Sequence, residues 1–202
     1  MTNLTSKLWM TEKLCCYNFN KENYISSVFP KIYRCDVFHL ILENQTFTFN
    51  EHIFISLAAK RIIYRDIVVK TADGSIVPFE KLVEAVPKVK KITFKHENSR
   101  SNINSKTFTE LLKIPHFSKL QRLNLENIPE VFDFDAFYGY MKKNKFIKFD
   151  LEFSASISDA YKNRVETIID EILQTEKHTY RVPLINFHGL SEEKFYKLMR
   201  FV

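Results

Sequence analysis

The side chains able to do chemistry in this chain of 202 residues are six histidines, three cysteines and a set of cations at recurring intervals. His39, His52, His96, His116, His178 and His188 show no metal-ligand spacing and no partner carboxylate at a telling interval. Cys15 and Cys16 are adjacent and Cys35 stands alone, which makes no CxxC pair and no disulfide framework. No nucleophile elbow or triad motif is present, and three glycines are too few for a glycine-rich phosphate cradle. Asp133 and Asp135 are close, but an acidic first helical turn accounts for both. These patterns predict a non-enzymatic chain with no catalytic residue, no cofactor and no metal site.

The cations are the informative group. Arg61, Lys91, Arg122 and Lys148 each stand just before the central apolar residue of a repeated spacing, at the place held elsewhere by Cys16, His39 and Leu184. Lys60 and Lys90 flank them, and Phe38 is expected to lie outward beside His39. On parallel strands such residues form a row about 5 Å apart, able to pair with an acidic protein surface or with phosphates. The same residues would also simply solvate an open sheet face and oppose aggregation. Both readings stand at this point. Nucleic acid is the less favoured partner, because Phe94, Phe149 and Phe187 occupy apolar positions, whereas a stacking platform needs exposed rings.

The elements that must carry this row are set by an apolar spacing, ΦxxΦxΦ. It occurs at Leu14/Tyr17/Phe19, Val37/Leu40/Leu42, Ala59/Ile62/Tyr64, Val89/Ile92/Phe94, Leu120/Leu123/Leu125, Phe146/Phe149/Leu151 and Val182/Ile185/Phe187. Strands are predicted over 14–19, 36–43, 60–66, 88–95, 120–125, 146–153 and 182–187, with a short extended piece at 67–70. Helices are predicted over 23–29, 50–58, 78–86, 105–114, 133–142, 158–174 and 191–201, from apolar stripes with capping residues and stopping prolines. The stripe of the second helix is read as Ile53, Phe54 and Leu57. Residues 72–75 form the clearest turn, and 96–104 is a polar loop read as mobile.

A strand-helix unit of about 22 to 36 residues cannot bury its own apolar face, so neighbours must stack. The expected architecture is an α/β, irregular leucine-rich-repeat-like solenoid, with parallel strands on the concave face and helices outside. It is read as a single repeat domain over 1–202 of about seven strand-helix units. A doubly wound sheet would want longer apolar strands and glycine-rich turns.

The formal charge of +6 favours acidic partners. The N-terminus lacks a secretory pattern and no window approaches a membrane span, so a cytoplasmic or nuclear location is expected.

Leu120-x-x-Leu123-x-Leu125 and Val37-x-x-Leu40-x-Leu42 resemble the strand signature of leucine-rich repeats. That family carries Asn or Cys three residues after the last Leu. Here those places hold Glu22, Gln45, Ile67, Glu97, Ile128, Ser154 and Leu190, so no regular side-chain ladder is expected. The segments at 34–36, 43–51, 82–87 and 112–117 look like the divergent repeat regions of nematode F-box-associated proteins. The resemblance implies target recognition as the substrate-binding part of an F-box-type ubiquitin-ligase receptor, with a cullin-ligase adaptor as partner if an F-box lies upstream. No F-box precedes Leu14, which implies a fragment or a member without the ligase-docking half. The alternatives are a stand-alone scaffold or effector-type binder, and a phosphate or nucleic-acid binder acting through the basic row.

Overall fold

The apolar spacing follows from how each strand is entered. The computed structural model describes residues 7–17, 22–96 and 102–201, so Phe19 and most of the 96–104 loop lie outside the described residues. At Ala59, Val89 and Leu120 the first apolar residue of the motif closes a tight turn and the next two lie in the strand, whereas Val37 already lies inside its strand. Ala59 N–H donates to the Ser56 carbonyl at 2.9 Å, Val89 N–H to Val86 at 3.1 Å and Leu120 N–H to Phe117 at 3.1 Å. A turn moves three residues between inward positions and a strand two. The motif is therefore one turn step followed by one strand step, and all nine residues at these three sites are buried.

The chain forms two compact units, one of residues 1–92 and 96–102, the other of 93–95 and 103–202. In chain order the first unit holds β1 (Leu8–Tyr17), α1 (Tyr24–Val28), β2 (Ile32–Glu43), β3 (Thr46–Thr48) and α2 (Phe49–Ser56). β4 (Arg61–Arg65), β5 (Val68–Lys70), α3 (Phe79–Glu84) and the start of β6 (Lys91–Lys95) follow. β1, β2, β4 and β6 are neighbours in that order, with β1–β2 and β2–β4 parallel, while β3 and β5 form a separate parallel pair.

β1 begins at Leu8, ahead of the expected start, and its pairing with β2 carries two bulges. The register steps from Leu8↔Ile32 to Trp9↔Arg34 and from Glu12↔Val37 to Lys13↔His39, so Tyr33 and Phe38 are the extra residues. A bulge bends and twists an edge pair, and Glu12 and Lys13 add charge there, both of which discourage edge-to-edge association.

α2 differs from its expected orientation. Glu51, His52, Ile55 and Ser56 are buried, whereas Ile53 and Leu57 are exposed. The cap is Thr48, not Asn50. Thr48 Oγ1 accepts from Glu51 N–H at 3.3 Å, and Glu51 Oε2 accepts from Thr48 N–H at 2.7 Å. Ser26 Oγ donates to the same carboxylate at 2.8 Å, tying α1 to this cap. The cap thus lies two residues before the expected one, and the packing turns Glu51, His52, Ile55 and Ser56 inward.

The second unit contains the end of β6, α4 (Thr107–Lys113), β7 (Arg122–Ile128), α5 (Phe134–Met141), β8 (Lys148–Phe153), α6 (Asp159–Gln174), β9 (Leu184–Asn186) and α7 (Glu192–Met199). Here the strand order is β6-β7-β8-β9, with β7–β8 and β8–β9 parallel. Asp133, Ser158 and Ser191 cap α5, α6 and α7 by accepting from backbone N–H groups. An aromatic chain fills the core: Phe137 meets Phe108 at 5.0 Å and Phe149 at 4.9 Å, and Phe134 meets Phe153 at 5.0 Å, all edge-on. Phe146 is not part of it, being 77% exposed. Ile147 takes the inward place, because Asn144 Oδ1 accepts from both Phe146 and Ile147 N–H and turns the chain there.

In each unit strand order follows chain order, so the chain is α/β with mostly parallel strands and no order reversal of the doubly wound kind. The one antiparallel bridge among the described residues, Lys70↔Ile76, closes the 72–75 turn, where Gly74 has φ +85.

Candidate functional site

Residues between the core positions of each strand point to the opposite face, where Ile63 and Asp150 are nonetheless buried. In the first unit the register across β1, β2 and β4 places Lys13, His39 and Arg61 in one row. The next rows are Cys15, Ile41 and Ile63, then Tyr17, Glu43 and Arg65. This open face is thus basic where the strands begin, apolar in the middle and mixed where they end.

His39 and Arg61 are register partners as the spacing predicts. Cys16 does not continue their row: it is buried and opposes Leu42, because Leu14 and not Tyr17 stands opposite Leu40, and Lys13 stands beside His39 instead. Sequence reasoning missed Lys13, since the bulge alone brings it into line. Lys90 and Lys91 both donate their backbone N–H to the Lys60 carbonyl, at 2.8 and 3.1 Å, which sets the start of β6 beside that of β4. Phe38 is 44% exposed, with the Lys60 ammonium 4.9 Å from its ring centroid. Among the described residues, Lys13, Arg61, Lys60, Lys90 and Lys91 form no ion pair.

A second exposed aromatic group lies at the other bulge. The Arg34 guanidinium sits 4.6 Å over the Trp9 ring, and Asp36 Oδ2 accepts from Arg34 Nε at 2.6 Å and Trp9 Nε1 at 2.9 Å. The chain's single tryptophan was a signal available in the sequence.

In the second unit Arg122 and Lys148 are register partners, and the next row is Asn124, Asp150 and Leu184. Leu184 therefore opposes Asp150 and does not extend the cationic row. Arg122 Nε donates to Asp150 Oδ2 at 2.6 Å. Asp150 is buried, and its Oδ1 has no hydrogen-bond partner among the described residues.

Where the strands of the first unit end, two buried titratable sites occur. His52 is fully buried, stacked on Phe47 and Phe49 at 6.4 and 6.0 Å and edge-on to Tyr64 at 5.8 Å. Neither of its ring nitrogens has a hydrogen-bond partner among the described residues, and burial pushes its pKa down to about 3. The Tyr64 hydroxyl is likewise buried without a partner, and burial drives its pKa above the ordinary phenol range. Tyr64 also borders a small apolar void with Ile62, Phe79, Leu82 and Val86, roughly one water in size. His96 Nδ1 lies 3.7 Å from Asp66 Oδ1, and its pKa is lowered by burial and partly restored by that carboxylate.

Asn44, Asp66 and Asn127 have φ of 52, 49 and 60, each at the second residue after the last apolar position of its strand motif. The next residues, Gln45, Ile67 and Ile128, are buried. Gln45 Oε1 accepts from Ile25 N–H at 3.2 Å, and its Nε2 donates to the Asn44 carbonyl at 3.0 Å.

Among the described residues, no group of three or more His, Cys, Asp or Glu side chains is placed to hold a metal ion, and no helix is long and apolar enough to cross a membrane. No family model, curated protein or solved structure matches the chain.

Proposed function

We propose that the chain is a protein-interaction module of leucine-rich-repeat-like build that binds an acidic segment of a partner on the open face of its strands. The observation that carries this reading is the cross-strand row Lys13, His39 and Arg61, exposed and without an ion pair among the described residues. Lys13 and Arg61 flank His39 in this row, and the row holds no carboxylate to offset the two cations. Simple solvation would be served better by alternating signs, whereas an acidic ligand turns this arrangement into a gain. The strands hold the row at fixed spacing, so little side-chain order remains to be lost on binding. Phe38 beside Lys60 supplies an apolar surface next to the charge.

The repeat build is supported within the second unit by contacts at a constant sequence offset. Glu130–Ser158 and Glu166–Lys194 are 28 residues apart, and Asp135–Arg164 and Lys142–Glu171 are 29 apart. Stacked units repeat their contacts in this way. In the finer form of the proposal, the module selects targets for a ubiquitin ligase of the F-box type, which rests on the resemblance of segments 34–36, 43–51, 82–87 and 112–117. Recovery of a cullin-ligase adaptor with the chain supports that setting, and its absence supports a stand-alone scaffold.

The test is titration of a fluorescent Asp/Glu-rich peptide, and separately of a single-stranded oligonucleotide, into the wild type and the Lys13→Glu/Arg61→Glu double variant. The expected result is peptide binding at the first-unit row, read from the backbone amide NMR signals of β1, β2 and β4, weakened at least tenfold in the variant. Equal peptide affinity contradicts the proposal, and tighter binding of the oligonucleotide replaces it with a nucleic-acid function.

A further inference from the structure

The geometry points to a carboxylate-recognition site in the second unit, formed by Arg122 and Lys148 with Asp150 as the positioning residue. This inference rests on reading the open strand faces as partner-binding surfaces, but it concerns different residues from the first-unit row. Arg122 and Lys148 face the same way on adjacent strands, as register partners. The inner edge of the guanidinium is committed, because Nε donates to Asp150 Oδ2 at 2.6 Å. Its side chain is nevertheless about half exposed, which leaves the terminal nitrogens as a planar pair of donors toward solvent. Such a pair matches the two oxygens of a carboxylate.

Asp150 is placed to orient Arg122 and not to touch the ligand, because an incoming carboxylate cannot satisfy its acceptor oxygen. Its side chain is 9% exposed, and its Oδ1 lacks a hydrogen-bond partner among the described residues. A buried carboxylate with one unused oxygen is costly for stability alone. Its effect is to hold the guanidinium in one orientation and thereby lower the entropy lost when an anion docks. The charge balance selects the anion. Arg122 and Lys148 against Asp150 leave one net positive charge, which complements a carboxylate and is outmatched by a phosphate dianion beside Asp150. The ligand is therefore an Asp or Glu side chain of a protein partner.

The test follows the backbone amide NMR signals of β7 and β8, together with the Arg122 side-chain signals where that residue is present, in the full chain during titration with a C-terminally amidated Asp/Glu-rich decapeptide and, separately, with inorganic phosphate. Wild type is expected to show a saturable shift with the peptide and a weaker response to phosphate. Arg122→Lys keeps the charge but loses the paired donors and should weaken peptide binding about tenfold. Asp150→Asn keeps an acceptor for Nε and removes the opposing charge, so preference should move toward phosphate, a change that a merely structural role of Asp150 would not produce. Thermal melting of both variants confirms folding. No saturable shift, equal peptide binding by Arg122→Lys, or an unchanged ligand preference in Asp150→Asn overturns the inference. The first-unit variant Lys13→Glu/Arg61→Glu leaves these signals responsive, so the failure of one site is distinguishable from the failure of the other.

Discussion

At the scale of single residues, the chain keeps polar groups where an apolar core would be cheaper. His52 lies among Phe47, Phe49 and Tyr64 with no hydrogen-bond partner among the described residues and a pKa of about 3. Its ordinary value is 6.5, so above that pH the ring is neutral in both the folded and the unfolded chain. Below it, the unfolded chain takes up a proton that the folded chain refuses. Stability is then lost on acidification, from pH 6.5 down to about 3, with a slope approaching about 1.4 kcal/mol per pH unit. His52→Phe should remove that part of the slope and leave stability at neutral pH equal or higher, as urea unfolding at several pH values will show; an unchanged slope would mean that the ring is solvated. Tyr64→Phe should stabilise by about 1 kcal/mol, since it deletes a buried hydroxyl that has no protein partner. Tyr64 was legible as the last inward position of the Ala59/Ile62/Tyr64 motif, and His52 was not. A histidine directly before Ile53 and Phe54 carries no sign of its burial, and the inward face of α2 is that of His52 and Ile55 and not of Ile53, Phe54 and Leu57.

At the scale of elements, the strands were legible because the turn step and the strand step are both written in apolar residues, as at Leu120, Leu123 and Leu125. Phe146 misled because the turn at Asn144 moves the inward place to Ile147. The bulges at Tyr33 and Phe38 were also illegible, since an added residue in one strand shows only against its partner's register. The strand exits are testable. Asn44 has φ 52, a conformation that costs a residue with an ordinary Cβ about 1–2 kcal/mol. Asn44→Ala should therefore destabilise by about 1 kcal/mol and Asn44→Gly should be near neutral; equal losses in both would show that the Asn side chain matters more than the backbone. Thr48→Ala should cost about 1 kcal/mol through loss of the capping box on α2, and a thermal melt unchanged from wild type would show that Ser26 and the remaining contacts of Glu51 suffice.

At the scale of the whole chain, the sequence of apolar residues specifies parallel strands in chain order within each unit, and the residues between them create open faces whose charge is not random. The pairing of His39 with Arg61 and of Arg122 with Lys148 was foreseeable from spacing, because each residue precedes the central apolar position of its strand. Lys13 and Asp150 were not, because their places depend on a bulge and on a register that only the paired strands define. A steep fall in partner affinity between about 50 and 200 mM salt is expected if these cations carry the interaction. The most direct test is affinity purification of the chain from extracts, wild type beside Lys13→Glu/Arg61→Glu, with mass spectrometry of what is retained and peptide mapping of the bound segments. The account predicts partners that disappear with the double variant and contact the chain through segments rich in Asp and Glu. Identical partners in both samples, or bound segments without acidic bias, would contradict it.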